Sequence, residues 1–250
     1  MQAYLTLLRR ELGSFLVSWI GYVTIAGAAL LTGLSFVVLL VKLRLEPTAA
    51  PVTELFYATP FFWLILLLGA PLITMRLIAQ EKFSGTFETL MTTPVGDWQV
   101  VLAKFSAALL MYMLMWLPLL GCILFLRPFV NDPAAVDPLT VGIMFSGILL
   151  LGCLFVAIGC FASALTRNQI VAAMISFAIS MGLFVLSFLS DRFDHHNGWA
   201  GQVLTYLALV EHMQEFARGI IDTRPVVLCL TGTVFFLFLT VRVIESRRWK

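Results

Sequence analysis

The chain has 250 residues, of which 60% are hydrophobic and 12% charged, and a formal net charge of +2. Soluble domains carry about 25% charged residues, and at a mean hydropathy of +0.97 this chain could not hide its apolar surface in a water-soluble core. A soluble globular domain is thereby excluded, no nucleic-acid partner is expected, and an all-α integral membrane protein is the class predicted.

At the N-terminus, MQAYLTLLRREL places Tyr4, Leu7, Leu8 and Leu12 on one helical face, with Arg9 and Arg10 largely off it. That pattern predicts an amphipathic helix lying on the membrane surface. Two arginines ahead of an apolar run also imitate a signal peptide. A signal's apolar region is ~7–15 residues, whereas residues 15–41 are charge-free throughout, so the run is read as a retained span. Five further charge-free runs follow, at 55–75, 105–126, 139–166, 168–190 and 225–241. A membrane core of ~30 Å needs about 20 helical residues, and all six runs qualify. The expectation is a single transmembrane domain over 1–250.

Between the second and third runs lies EKFSGTFETLMTTPVGDWQVVLAKF, residues 81–105. Glu81, Gly85 and Glu88 share one helical face by i, i+4, i+7 spacing, and Phe87, Leu90 and Met91 form an apolar one. Thr93-Pro94 and the following Val-Gly-Asp break the helix. Asp97 is placed to cap a new helix, on which Trp98, Val101, Leu102 and Phe105 line one side. The predicted form is a short amphipathic helix held between two spans. Such an element can dock a partner and transmit its movement, although a helix resting on lipid headgroups has the same pattern.

In the fourth run, Gly142/Ser146 and Gly159/Ser163 are small-xxx-small pairs, with Gly152 one heptad before Gly159. They fit close helix contact in a bundle or across a dimer, and equally the ordinary abundance of glycine in membrane helices. TRNQ at 166–169 predicts an antiparallel hairpin between the fourth and fifth spans. Residues 191–224 begin with DRFDHHNGW and then show helical periodicity at Leu204, Leu207, Val210, Met213 (or His212), Phe216 and Ile220. The segment is too polar after Val210 to span, so a helix or helix pair dipping into the outer leaflet is expected. Asp194, His195 and His196, or Glu211, His212 and Glu215, could be drawn as a metal site. A solvated loop explains them as well, and no metal is expected. Cys122, Cys153, Cys160 and Cys229 all fall within spans without metal-type spacing and are read as small buried hydrophobes.

With the N-terminus cytoplasmic, ten of the sixteen Lys and Arg residues fall on the inside and nine of the fourteen acidic residues outside. The excess of inside positive charge supports that orientation, with both termini and the 81–105 loop in the cytoplasm. The sequence has no GxSxG, HExxH, GxGxxG or GxxxxGK[ST], so an intramembrane enzyme has no candidate catalytic residue and ATP cannot be bound through a P-loop of this chain. No ionisable residue lies inside any of the six runs, which disfavours proton-coupled transport.

The run IAQEKFSGTFETLMTTPVGDWQVVLAKF (78–105) resembles the signature of ABC-2 type ABC-transporter permeases. Its positions here are Glu81, Gly85, Thr86, Glu88, Leu90, Pro94, Trp98 and Lys104, with Met91 in the same turn. LTRNQIVAAMISF, HMQEFARGIID and LTVRVIESRRW resemble the family too, particularly its small gliding-motility and copper-maturation-like branches. The resemblance implies a half-transporter in the bacterial inner membrane, working as an exporter with a second copy or a homologous permease. Two separate ATPase subunits would bind ATP and Mg, and the 81–105 loop would supply the coupling helix that docks on them. Re-entrant outer helices before the last span and a separate periplasmic or auxiliary protein are implied as well. The competing reading is a non-transporting assembly or anchoring protein that uses the same loop for docking. The cargo is not legible.

Overall fold

A computed structural model describes residues 2–45, 51–87, 96–129, 136–190 and 206–248, and every element it describes is helical. The helices are α1 (Gln2–Val17), α2 (Trp19–Leu45), α3 (Val52–Tyr57), α4 (Pro60–Thr74), α5 (Ala79–Ser84), α6 (Asp97–Met115), α7 (Leu117–Leu126), α8 (Pro138–Leu165), α9 (Gln169–Ser190), α10 (Leu209–Ala217) and α11 (Thr223–Arg248). Six segments are long and apolar enough to cross a membrane: Trp19–Arg44, Pro60–Ser84, Asp97–Phe129, Pro138–Leu165, Gln169–Ser187 and Thr223–Ser246. The protein is a multi-pass, all-α membrane protein.

The breaks between helices have local causes. The first span starts at Trp19 rather than at residue 15, because the chain turns at Ser18, whose hydroxyl accepts the Ile20 N–H at 3.3 Å. Phe15 therefore belongs to α1 and is buried. The expected 55–75 run is also divided. Thr59 is extended and Pro60 opens α4 at its first turn, where a missing N–H costs nothing, so α3 is a separate short helix. The helix of the third span is interrupted at Trp116, because Pro118 cannot donate to the preceding turn. Asp137 caps α8 by accepting the Thr140 N–H at 3.2 Å. Asn168 Oδ1 accepts the Ile170 N–H at 2.9 Å and starts α9, which closes the expected α8–α9 hairpin. Asp222 Oδ1 accepts the Arg224 N–H at 3.2 Å at the head of α11. That bond holds its carboxyl below the ordinary Asp range.

Helix α8 is the centre of the bundle, with 67% of its most apolar window buried against 28% for α2. It touches α4, α6, α9, α10 and α11. Its glycines make those approaches possible. A Cβ on Gly152 would lie 2.5 Å from Tyr112, one on Gly147 2.8 Å from Phe216, and one on Gly159 2.0 Å from the Thr74 hydroxyl. The Gly159/Ser163 pair is thus a packing surface within the chain, whereas a Cβ at Gly142 would meet nothing. Several threonines inside the spans bond to their own helix, as Thr74 does to the Ala70 carbonyl at 2.8 Å and Thr240 to that of Phe236 at 2.7 Å. All four cysteines are free thiols.

At the end of the bundle away from α1, α3 and α10 pack together. Tyr57 donates to the Val210 carbonyl and Thr53 to that of Ala217, both at 2.6 Å, and Arg218 pairs with Glu54 at 2.7 Å. Helix α10 has nine residues, about 14 Å at the ~1.5 Å rise per residue, too short to cross. It buries Leu209, His212, Met213 and Phe216; of the periodic positions expected, Leu207 and Val210 are only half-buried, and Ile220 lies beyond its end and is exposed. His212 Nε2 is 3.1 Å from the Tyr206 carbonyl oxygen. Leu204 and the Asp194, His195, His196 group lie outside the described residues.

Candidate functional site

The connection between α4 and α6 is built on the last turn of α8. Because Gly159 has no side chain, Thr74 can reach the α8 backbone, and the chain then turns over Ser163. The Ser163 hydroxyl accepts the N–H groups of Ile78 at 3.1 Å and Ala79 at 3.0 Å and donates to the Met75 carbonyl at 3.3 Å. One side chain from α8 therefore satisfies backbone donors at the start of α5, which would otherwise lack partners. Buried Lys82 donates to the Ala164 carbonyl, an arrangement favoured by the negative end of the α8 dipole. Its ammonium also stands 5.3 Å from the Phe87 ring centroid.

Gly85 ends α5 at φ 74°, a left-handed conformation that an L side chain rarely adopts. The continuous helical face expected through Glu81, Gly85 and Glu88 is therefore interrupted at Gly85. Ser84, Gly85 and Thr86 are exposed, and Phe83 is 79% exposed. Together they form a protruding turn, with Phe87 tucked beneath it at 8% exposure.

Glu81 turns the other way, into the bundle, and meets Lys104. The Lys104 amine donates to Glu81 Oε1 at 2.8 Å, to Glu11 Oε1 at 2.9 Å and to the Leu77 carbonyl at 2.9 Å. An ammonium has three donors, and all three are used. At 3% exposure, Lys104 would be costly to leave unpaired. Two carboxylates on one ammonium leave a local negative excess, which Arg10 reduces from 3.9 Å. The cluster joins α1, α5 and α6 at one point. Nearby, Tyr4 of α1 donates to Ser106 of α6 at 2.8 Å, so α1 lies along the first half of α6.

Helix α6 begins at Asp97 with Gly96 in the cap position, so Asp97 is the first helical residue and not the cap. Its buried face carries Val100, Val101, Ala103, Lys104, Ala107, Ala108 and Met111. Of the four residues expected to line one side, Val101 is buried and Phe105 half-buried, while Trp98 and Leu102 are 44% and 40% exposed. Hydropathy does not pick out this face, because it includes three alanines and a paired lysine beside Val100, Val101 and Met111. Of the residues singled out from sequence, Glu81 and Lys104 meet, while Gly85, Thr86 and Trp98 are exposed. Glu88, Leu90, Met91 and Pro94 lie outside the described residues. Sequence reasoning missed Glu11 and the second role of Ser163. The only signal for the latter was its place in a small-xxx-small pair.

The sequence model for the ABC-2 family transporter protein matches residues 41–193. That is more than half of the chain, and it spans the α4–α6 connection. The chain belongs to the ABC-2 transporter family. It is thus a permease, a membrane transport component of the kind that works with ABC ATPase subunits. Among curated proteins, none matches the chain. The matched residues of the permease end before α10 and α11 and begin after α1, so Glu11 lies outside them while Glu81 and Lys104 lie within.

Proposed function

We propose that this permease exports its cargo across the bacterial inner membrane. ATP and Mg are bound on separate ATPase subunits that dock against the exposed turn at 83–86 and the connection that follows it. In this reading the α1 end of the bundle and both termini are cytoplasmic, and the functional unit contains a second permease, identical or homologous. A small gliding-motility or copper-maturation-like branch and a separate periplasmic or auxiliary partner belong to the same proposal.

The observation that supports docking and transmission at this point is the Lys104 cluster. An exposed turn is attached, through Glu81 and one buried amine, to both α1 and α6. A push on Phe83 to Thr86 would be felt by α6 through a short, hydrogen-bonded path, and α6 continues into the third span. Movement at the turn without that tie would be absorbed by the Gly85 conformation.

The experiment is purification of the permease from its native membrane, followed by identification of co-purifying proteins and measurement of ATP hydrolysis. An ATPase carrying a Walker motif should co-purify and should hydrolyse ATP faster with the permease than alone. Glu88→Lys, a charge reversal in the same connection, should weaken that association. Capture of a partner that shows no ATP hydrolysis would favour the anchoring role and contradict transport.

A further inference from the structure

Where α2, α3, α4 and α7 meet inside the bundle there is a small cavity, with about 10 Å³ open to the centre of a water molecule. Every residue that lines it is buried. One water needs roughly 10–15 Å³ by that measure, so the space fits a single molecule and no larger ligand. Phe56, Phe62, Ile65 and Leu119 make most of the wall apolar. Three polar side chains share it with them: Thr32 and Ser35, a turn apart on α2, and Trp116 at the interruption of the third span.

The hydrogen-bonding capacity of these three groups is defined. Thr59 Oγ1 donates to the Phe56 carbonyl at 2.7 Å and therefore accepts the Ser35 hydroxyl proton, also at 2.7 Å. Ser35 Oγ is left as an acceptor. Thr32 Oγ1 and Trp116 Nε1 are buried and have no hydrogen-bond partner among the described residues. An indole N–H can only donate, whereas a hydroxyl can do either. Bare polar groups in an apolar interior are costly. One water answers all three, accepting from the indole, donating to Ser35 Oγ and using its remaining bond on Thr32 Oγ1. Buried waters make about three such bonds. The Tyr112 hydroxyl also approaches the indole, but the two do not meet hydrogen-bond geometry, and Tyr112 is not part of the cavity wall.

We infer that this cavity binds one ordered water molecule, which bridges the Trp116 indole to the Thr32 and Ser35 hydroxyls. The site joins two breaks in the bundle. Trp116 stands at the interruption between α6 and α7, and Ser35 holds Thr59, the extended residue before α4. Both breaks are thereby tied to one turn of α2. The site is independent of the transport reading, because it depends only on how the spans pack.

The test uses the full chain in detergent micelles with isotope-labelled tryptophan, the Trp116 indole signal being assigned by its loss in Trp116→Phe. In wild type the indole N–H should show magnetisation transfer to a long-lived water. Thr32→Val should shift that signal and raise the unfolding equilibrium constant about fivefold, as expected for loss of one hydrogen bond. Thr32→Ser, which keeps the hydroxyl, should preserve the water transfer. In a dry cavity the sign reverses, because Thr32→Val would then remove a bare hydroxyl and stabilise the protein. No water transfer in wild type, or stabilisation by Thr32→Val, would overturn the inference. So would an indole signal that responds to Tyr112→Phe and not to Thr32→Val, since the N–H would then belong to the tyrosine.

Discussion

Replacing Lys104 by methionine would leave Glu11 and Glu81 facing one another around a buried space without their shared counter-charge. Removing one partner of a buried ion pair costs about 3–5 kcal/mol, so Lys104→Met is expected to lower the unfolding temperature sharply in detergent. Adding Glu11→Gln and Glu81→Gln should restore most of that loss, because neutral replacements of a whole buried cluster are often tolerated. No recovery in the triple variant would show that the cluster is not a coupled unit. At Gly85, φ is 74° and a Cβ would have open space, so Gly85→Ala should cost only the left-handed strain, about 1–2 kcal/mol. Of this cluster, Glu81 and Lys104 were legible in sequence because they fall within one motif. Glu11 was not, since it lies 93 residues from Lys104 and a short amphipathic stretch does not say what its polar face will meet.

Between elements, the tightest joint is the α4–α8 contact at Thr74 and Gly159. Gly159→Val would drive a branched side chain into Thr74 and disturb the Ser163 bonds that hold the start of α5. Overpacking of this kind costs about 1–3 kcal/mol, and limited proteolysis should then cut the 81–96 connection faster than in wild type. Protection equal to wild type would contradict the role of this joint. The α3–α10 contact allows a sharper comparison. Tyr57→Phe removes the bond to the Val210 carbonyl and should cost about 1 kcal/mol. Arg218→Ala breaks a pair whose arginine side chain is 49% exposed and should cost less. Thermal unfolding of the two variants separates these expectations. Helix α10 was readable from its spacing, whereas α3 was hidden, because its residues Leu55, Phe56 and Tyr57 join an apolar run that hydropathy alone does not divide. The Thr59-Pro60 pair marked the division: an extended residue before proline is where a helix begins.

For the whole molecule, the six spans and the all-α architecture were legible because membrane insertion depends on long apolar stretches, which need no knowledge of tertiary contacts. What hydropathy cannot report is which faces meet. On α6, Lys104 and three alanines pack inward together with Val100, Val101 and Met111, while Trp98 and Leu102 remain exposed. The central claim is that a partner ATPase engages the exposed turn at 83–86 and that the Lys104 cluster carries its movement into α6. It is tested most directly by ATP hydrolysis of the reconstituted permease–ATPase complex in proteoliposomes. Two variants are compared with wild type: Phe83→Asp, on the exposed turn, and the triple Lys104→Met/Glu11→Gln/Glu81→Gln. The account predicts that Phe83→Asp weakens ATPase binding about tenfold or more, as loss of a central aromatic anchor does. The triple variant should bind the ATPase normally yet lose the stimulation of hydrolysis. Wild-type binding by Phe83→Asp together with full stimulation by the triple variant would contradict it.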